Sequence, residues 1–281
     1  MSNQGEKKGV SALDFFCLGF GAIVGVGWAV SINSWMSDCG GPVPAGIGYI
    51  VALVMMVPIA LCYCELVPAL PVAGGGMAFA FRAFNSHVAV ISGWAAFGGF
   101  ISIIPWEAIQ ITDVLGYLIP GLKAGDPLYS VAGTPVYLTI IIGVICSVLL
   151  FALNMRGLAS AAVLQKILCF VLVGAGILGA IASLIKGDAS NWQPIYDTTN
   201  AMVYGDPDLG YVEATNSNMF GGILAILSSA PFFLAGFETI PQGVEDAGGD
   251  IKSVGKTVVL SVALACIFYA ILLFCFGYAW S

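Results

Sequence analysis

Apolar residues in this chain come in long unbroken runs. They show neither the i, i+3, i+4 stripe of a soluble helix nor the alternation of a half-buried strand. Seven windows are long enough for a bilayer, which takes roughly 17–25 apolar residues. They predict membrane helices at about residues 12–37, 44–69, 88–118, 134–154, 159–186, 219–243 and 255–280. The connections PVAGGGMAFAFRAFNS, GLKAGDPLYSVAGTP, NMRG and EDAGGDIKSVG are short and rich in glycine or polar residues. A longer one, residues 187–218, carries Asp188, Asp197, Asp206, Asp208 and Glu213 and is too polar for lipid, so it is predicted to be an extracellular loop. Continuous apolar runs also exclude a membrane β-barrel, whose strands alternate. The first run continues to about Val30 with no small-residue cleavage pattern, which marks it as a retained span and not a signal peptide.

Composition agrees with that pattern. Hydrophobic residues make up 59% of the chain and charged residues 9%, against about 25% charged in soluble domains. The net charge of −7 says little about partners, because many acidic residues fall in the 187–218 loop. Eight cysteines lie in apolar stretches without CxxC or metal-ligand spacing and read as small apolar filler. With the N-terminus in the cytoplasm, Lys7, Lys8, Arg82, Arg156, Lys252 and Lys256 fall inside, and only Lys123 and Lys186 outside. The positive-inside rule therefore predicts residues 1–11 as a cytoplasmic tail of a multi-pass protein in the cell (plasma or inner) membrane.

Two spans carry signs of interruption. The first reads GFGAIVGVGW, with Gly19, Gly21, Gly25 and Gly27 crowded near mid-membrane. Glycine disfavours helix by about 1 kcal/mol relative to alanine, and a break in lipid survives only where protein, water or a ligand meets the freed backbone groups. A break near Ile23–Gly27 would present N–H groups that favour a carboxylate. The alternative is close helix packing through the GxxxG pair Gly21 and Gly25. The sixth span, SSAPFFLAGFETIPQGVEDAGG, is interrupted by Pro231, Gly236, Pro241 and Gly243. Interruptions in the first and sixth spans are the pattern of a midplane site between inverted five-helix repeats.

These segments resemble the amino acid–polyamine–organocation superfamily. GFGAIVGVGW is similar to that family's first-span motif, and YCELVPALPVAGGGMAFAFRAF to the end of its second span. SGWAAFGGF, NMRGLASAAVLQK and FFLAGFETIPQGVEDAGGDIKSVGK look like its third-span entry, its turn into the fifth span, and its sixth span with inner loop. The resemblance runs in order over essentially the whole chain. It implies an all-α membrane protein of the leucine-transporter-like inverted-repeat fold, with the first five-helix repeat plus two helices of the second and with the first and sixth helices broken. It also implies a secondary active transporter, a permease or exchanger of amino acids or related amines working by alternating access.

Carried over by position, the substrate carboxylate would meet the backbone of Ile23, Val24, Gly25, Val26 and Gly27, and the ammonium that of Phe232, Phe233, Ala235 and Gly236. Phe237 would be a gating aromatic. Trp28 stands where the family has a smaller aliphatic residue and would narrow the cavity or act in gating. Some proton-coupled members carry a fifth-span lysine; that place falls near Leu172, whereas Lys166 lies earlier, which counts against a lysine-driven mechanism.

Ionisable residues within spans are costly and usually functional. Glu107, after Pro105 and Trp106, is a candidate for attracting a cationic substrate or for ion coupling, and Asp113 a weaker one. Glu238 at the sixth-span break is a gate candidate, Glu65 a partner for Arg82 or Arg156, and Asp14 an N-cap of the first span. Neither cofactor nor metal ligation is predicted, and the coupling ion, proton or sodium, stays open. The expected partners are a small amino acid or amine and membrane lipid, not nucleic acid. A seven-helix receptor, a channel and a membrane enzyme are the other classes. The first leaves the paired breaks unexplained; the others lack a pore-charge ring and a catalytic pairing of His, Cys or Ser. The implied fold needs ten core helices, so the seven windows predict a fragment of a longer protein, or a half-protein that needs a partner chain.

Overall fold

The computed structural model describes residues 9–119, 128–131, 134–136, 140–192 and 218–279. The chain enters the bundle through Ser11, which caps helix α1 (Ala12–Ile23) in a capping box with Asp14. The Asp14 N–H donates to Ser11 Oγ at 3.3 Å, and the Ser11 N–H donates to the Asp14 carboxylate at 3.2 Å. Asp14 is therefore the third residue of the helix and not its cap. After a three-residue gap the chain resumes as α2 (Gly27–Cys39), bent 46° from α1. The left-handed Gly40 (φ 75°) and Gly41 (φ 139°) turn it into α3 (Pro42–Ala69), which opens on a proline whose missing N–H costs a first turn nothing.

Helices α4 (Gly75–Ala83) and α5 (Ser86–Leu118) follow, the latter capped by Asn85. A two-stranded antiparallel hairpin, β1 (Tyr129–Val131) and β2 (Thr134–Val136), leads to α6 (Ile140–Asn154). Then come α7 (Leu158–Lys186), α8 (Met219–Phe233), the short α9 (Thr239–Gln242) and α10 (Ile251–Tyr278), capped by Asp250.

Among the described residues α3, α5, α7 and α10 are long and apolar enough to cross a membrane, and the bent pair α1–α2 makes a fifth span. The fourth and sixth windows give helices of only 15 residues each, about 22 Å against a hydrocarbon core of about 30 Å. In the fourth, residues 134–136 belong to the hairpin, where Pro135 suits a strand better than a helix. In the sixth, the helix stops at Phe233. The connection at 71–86 contains α4, which the glycine-rich reading missed. Of the predicted loop 187–218, residues 193–217 lie outside the described residues, as do residues 1–8 of the predicted tail.

Helix α10 is the hub. It packs on α3, α1 and α7, and half of its apolar window is buried, against 6% for α5. Lipid gives no hydrophobic drive for helix to meet helix, so close backbone approach has to supply the contact. Small residues provide it. A Cβ on Gly255 would lie 2.5 Å from the Cys64 carbonyl, and one on Gly222 2.1 Å from that of Cys39. Large apolar side chains on α5, α6 and α7, among them Ile91, Phe151 and Leu178, point outward.

The end of the bundle where α1 begins, the N-side, is pinned by backbone. The Val10 N–H donates to Asp246 O (2.8 Å) and the Gly248 N–H to Val10 O (3.0 Å). Residues Val10 and Ser11 thus belong to the fold and not to a free tail. Lys166 of α7 forms an ion pair with Asp14, tying α7 to the same end. At the far side, the Asp188 N–H and Asn191 Nδ2 both donate to Tyr278 O, joining the exits of α7 and α10.

Gly222→Ala should force α8 off the end of α2, at about 1–3 kcal/mol, and lower the melting temperature of the detergent-purified protein. Gly174→Ala, where an added Cβ meets open space, should leave it unchanged or raise it.

Candidate functional site

Both interruptions lie at the same height and touch. In the first span the last regular bond runs from the Val24 N–H to Phe20 O (2.7 Å), and the next begins with the Ala29 N–H to Val26 O (3.0 Å). Between them the N–H groups of Gly25, Val26 and Gly27 find no backbone acceptor among the described residues. They form the exposed N-terminal end of α2. In the sixth span, the Ala235 N–H reaches Phe232 O at 3.3 Å, and the Thr239 N–H restarts the helix on Gly236 O at 3.1 Å. The carbonyls of Phe233, Leu234 and Ala235 accept no backbone bond among the described residues.

Gly236 makes the contact possible. Its φ of 130° lies where side-chain-bearing residues rarely go, and a Cβ there would sit 2.7 Å from the Ala22 carbonyl carbon and 2.9 Å from the Ile23 nitrogen. Backbone meets backbone.

A narrow crevice of about 30 Å³ runs along this contact, room for about one water. From the first break Ile23, Gly25, Gly27 and Trp28 line it, and from the sixth Phe232, Phe233 and Ala235. Helix α5 adds Ile103, Trp106 and Glu107, and α10 adds Tyr269. The glycines of the first break answer the bulk of α5. A Cβ on Gly25 would lie 3.0 Å from Glu107 Oε1, and one on Gly27 2.5 Å from the Trp106 ring. Gly21, by contrast, faces Gln165 of α7. Helix packing and helix breaking therefore divide between Gly21 and Gly25, the two members of the GxxxG pair.

Not every expected residue reaches the crevice. Val24 is fully buried in the core and Val26 half-buried, and neither lines it. Gly236 stands behind the lining. Its N–H donates to Glu238 Oε2 (2.7 Å), and its carbonyl accepts from Thr239 Oγ1 (2.7 Å). Glu238 thus stabilises its own break and lines an adjoining cavity, of about 560 Å³, with Tyr63 and Gln242. Phe237 is buried edge-on against Tyr63 at 5.4 Å and does not face the crevice. Trp28 does, with its ring against Phe268 and Phe276 and its indole N–H without an acceptor among the described residues.

Glu65 is exposed, and no ion pair joins it to Arg82 or Arg156 among the described residues. Glu245 accepts the Ala73 N–H (2.8 Å), joining the loops that follow α3 and α9. The side chain of Asp113 lies outside the described residues.

Above the crevice, toward the far side, an aromatic layer closes the bundle. Trp35 packs on Phe233, Tyr49 and Tyr269 at 4.6, 5.2 and 5.4 Å, and the Tyr269 hydroxyl donates to Ile23 O at 2.8 Å. Below it, a vestibule of about 590 Å³ shares Ala22, Gly25, Ile103 and Glu107 with the crevice and continues past Gln165 and Gln242 to Asp246 on the N-side. Sequence reading missed Trp35, Tyr49 and Tyr269. The available signal was a pair of tyrosines, each with a hydroxyl to satisfy, deep in otherwise apolar runs.

The model of a family described as amino acid permease matches residues 10–279. The branched-chain amino acid permease BcaP of Bacillus subtilis (strain 168) is 22% identical over 94% of this chain and 53% of its own length. The glutamate/serine transporter AimA of the same organism is 33% identical over 38% of this chain and 19% of its own. The aspartate-proton symporter of that organism is 29% identical over 43% and 23%. The chain spans about half the length of the curated relatives it matches end to end.

Gly236→Ala should cost about 1–3 kcal/mol in backbone strain alone and push the two breaks apart. A lower melting temperature, with a rise in cysteine labelling of a probe placed at Ala22, is the expected outcome. Gly249→Ala, in open space, serves as the control.

Proposed function

The chain belongs to the amino acid permease family, and from that premise we propose that it forms the substrate-holding part of a secondary carrier for amino acids or related amines. The observation that carries this reading is the meeting of the two breaks at Gly236. It leaves the N–H groups of Gly25 and Gly27 on one wall and the carbonyls of Phe233 and Ala235 on the other without a backbone partner among the described residues. N–H groups at a helix N-terminus favour a carboxylate, and carbonyls receive an ammonium. A zwitterion or an amine is the chemistry that this pair of walls fits. The receptor and channel readings gain nothing from such walls, and the relatives are named as permeases, transporters and symporters.

The proposed cycle is alternating access. Trp35, Tyr49 and Tyr269 close the far side, while the vestibule opens toward Asp246. With the N-terminus in the cytoplasm of a cell-membrane protein, this arrangement would be the inward-open state. Trp28, which lines the crevice, and Phe233, which lines it and packs on Trp35 of the aromatic layer, are the proposed gating side chains. Glu107, a charged side chain shared by crevice and vestibule, is the proposed coupling or selectivity group.

A thermal-shift panel of amino acids and amines, with and without sodium, on protein in nanodiscs should show stabilisation by a subset of ligands. Counterflow in proteoliposomes should then show exchange of the same subset. If no member of the panel stabilises the protein or exchanges, the carrier reading fails.

A further inference from the structure

Helices α1 and α7 lie against each other along a seam outside the crevice. Asp14 of α1 is paired there with Lys166 of α7. Three residues further along each helix, one turn on and on the same face, stand Cys17 and Cys169. A turn beyond Cys17 comes Gly21, where a Cβ would lie 2.2 Å from Gln165 Nε2 and 3.7 Å from the Cys169 Cβ. The two helices therefore run side by side and in the same direction from Asp14 to Gly21, with Cys169 turned toward α1.

Cys17 and Cys169 meet inside that seam. Their thiols are hydrogen-bonded to each other, and both residues are buried, at 0% and 4% exposure. Two thiols in contact across packed helices need a small adjustment, not a rearrangement, to reach the geometry of a disulfide. Burial keeps a thiol inert unless a reagent comes close. The vestibule supplies the approach. It is lined by Leu18, the neighbour of Cys17, by Gly21, and by Gln165, one turn before Cys169.

We propose that Cys17 and Cys169 are an oxidation site whose reversible disulfide fastens α1, the N-side half of the first broken span, to α7. Two S–H bonds break, one S–S bond forms, and two protons and two electrons pass to the oxidant. A peroxide is thereby reduced to two waters, a diazene to a hydrazine. A thiol reductant returns both cysteines by exchange. Helix α1 joins α2 only through the non-helical turn at Val24–Val26, so it can shift against α2 wherever that turn yields. A covalent bond to α7 removes that freedom on the wall of the vestibule that the two helices share. The cross-link itself is independent of the carrier reading, whereas its effect on exchange rests on it.

The test treats wild-type protein in nanodiscs with diamide, a small uncharged diazene. Remaining thiols are then blocked with N-ethylmaleimide, and cross-linked peptides are mapped by mass spectrometry. Most of the protein should carry a Cys17–Cys169 bond that dithiothreitol removes. Oxidation should raise the melting temperature by about 5 °C or more, and neither Cys17→Ala nor Cys169→Ala should show that rise. The wild-type comparison with and without dithiothreitol needs no variant, so a poorly folded variant does not spoil it. In counterflow, oxidised wild-type protein should lose most of its exchange and regain it on reduction, while Cys17→Ala stays insensitive to diamide.

Absence of the cross-link at diamide doses that consume the exposed Cys62 would overturn the proposal. So would a cross-linked protein with unchanged melting temperature, or one that exchanges ligand as fast as the reduced form. Protein that exchanges nothing even when reduced removes the carrier reading, and the peptide map and melting temperature then still decide the cross-link.

Discussion

Two stretches of backbone that leave the helix at mid-height lie against each other, Gly236 on Ala22 and Ile23, and the rest of the structure is arranged around that contact. Unbonded peptide groups in an apolar interior cost several kcal/mol each in hydrocarbon terms. They persist only where the surrounding fold holds them or where a ligand takes them. Glu238 and Thr239 satisfy Gly236 internally, while Gly25 and Gly27, and Phe233 and Ala235, which line the crevice, have N–H groups and carbonyls, respectively, without a backbone partner among the described residues.

The contact is held from both ends. On the N-side the strand-like pairing of Val10 with Ala247 joins the entrance of the first broken span to the exit of the sixth. On the far side Tyr269 of the hub helix α10 donates to the carbonyl of Ile23, the last residue of α1. Helix α5 stands apart from this frame. It packs chiefly on α4 and α6 and meets the broken spans with Trp106 and Glu107 across the crevice. The frame that holds the backbone groups and the wall that supplies charge are thus different elements. Such a division lets one fold serve ligands of different charge by changing the wall.

That division also fits the relatives. Proteins named for branched-chain amino acids, for glutamate and serine and for aspartate share the family at 22–33% identity. In the proposed carrier, recognition through peptide groups would be indifferent to side-chain identity, and selectivity would fall to the side chains that line the crevice, among them Trp28, Ile103, Trp106, Glu107, Phe232, Phe233 and Tyr269.

The sequence by itself determined that this is a helical multi-pass membrane protein and where its first and sixth spans break. Continuous apolar runs and clustered glycines act locally, within one span, and need no partner to be read. The limits of α3, α5 and α7 agree with the apolar windows to within two residues at each end. Tertiary structure decided what no local pattern encodes. It separated Gly21, which packs on Gln165, from Gly25, which faces Glu107. It turned Phe237 into the core and left Phe232 and Phe233 at the crevice. It also joined Asp14 to Lys166 across 152 positions of chain. An apolar run has nearly the same composition on every face, so it says that a helix will sit in lipid but not which face meets which neighbour. That choice is made by close packing between helices far apart in sequence.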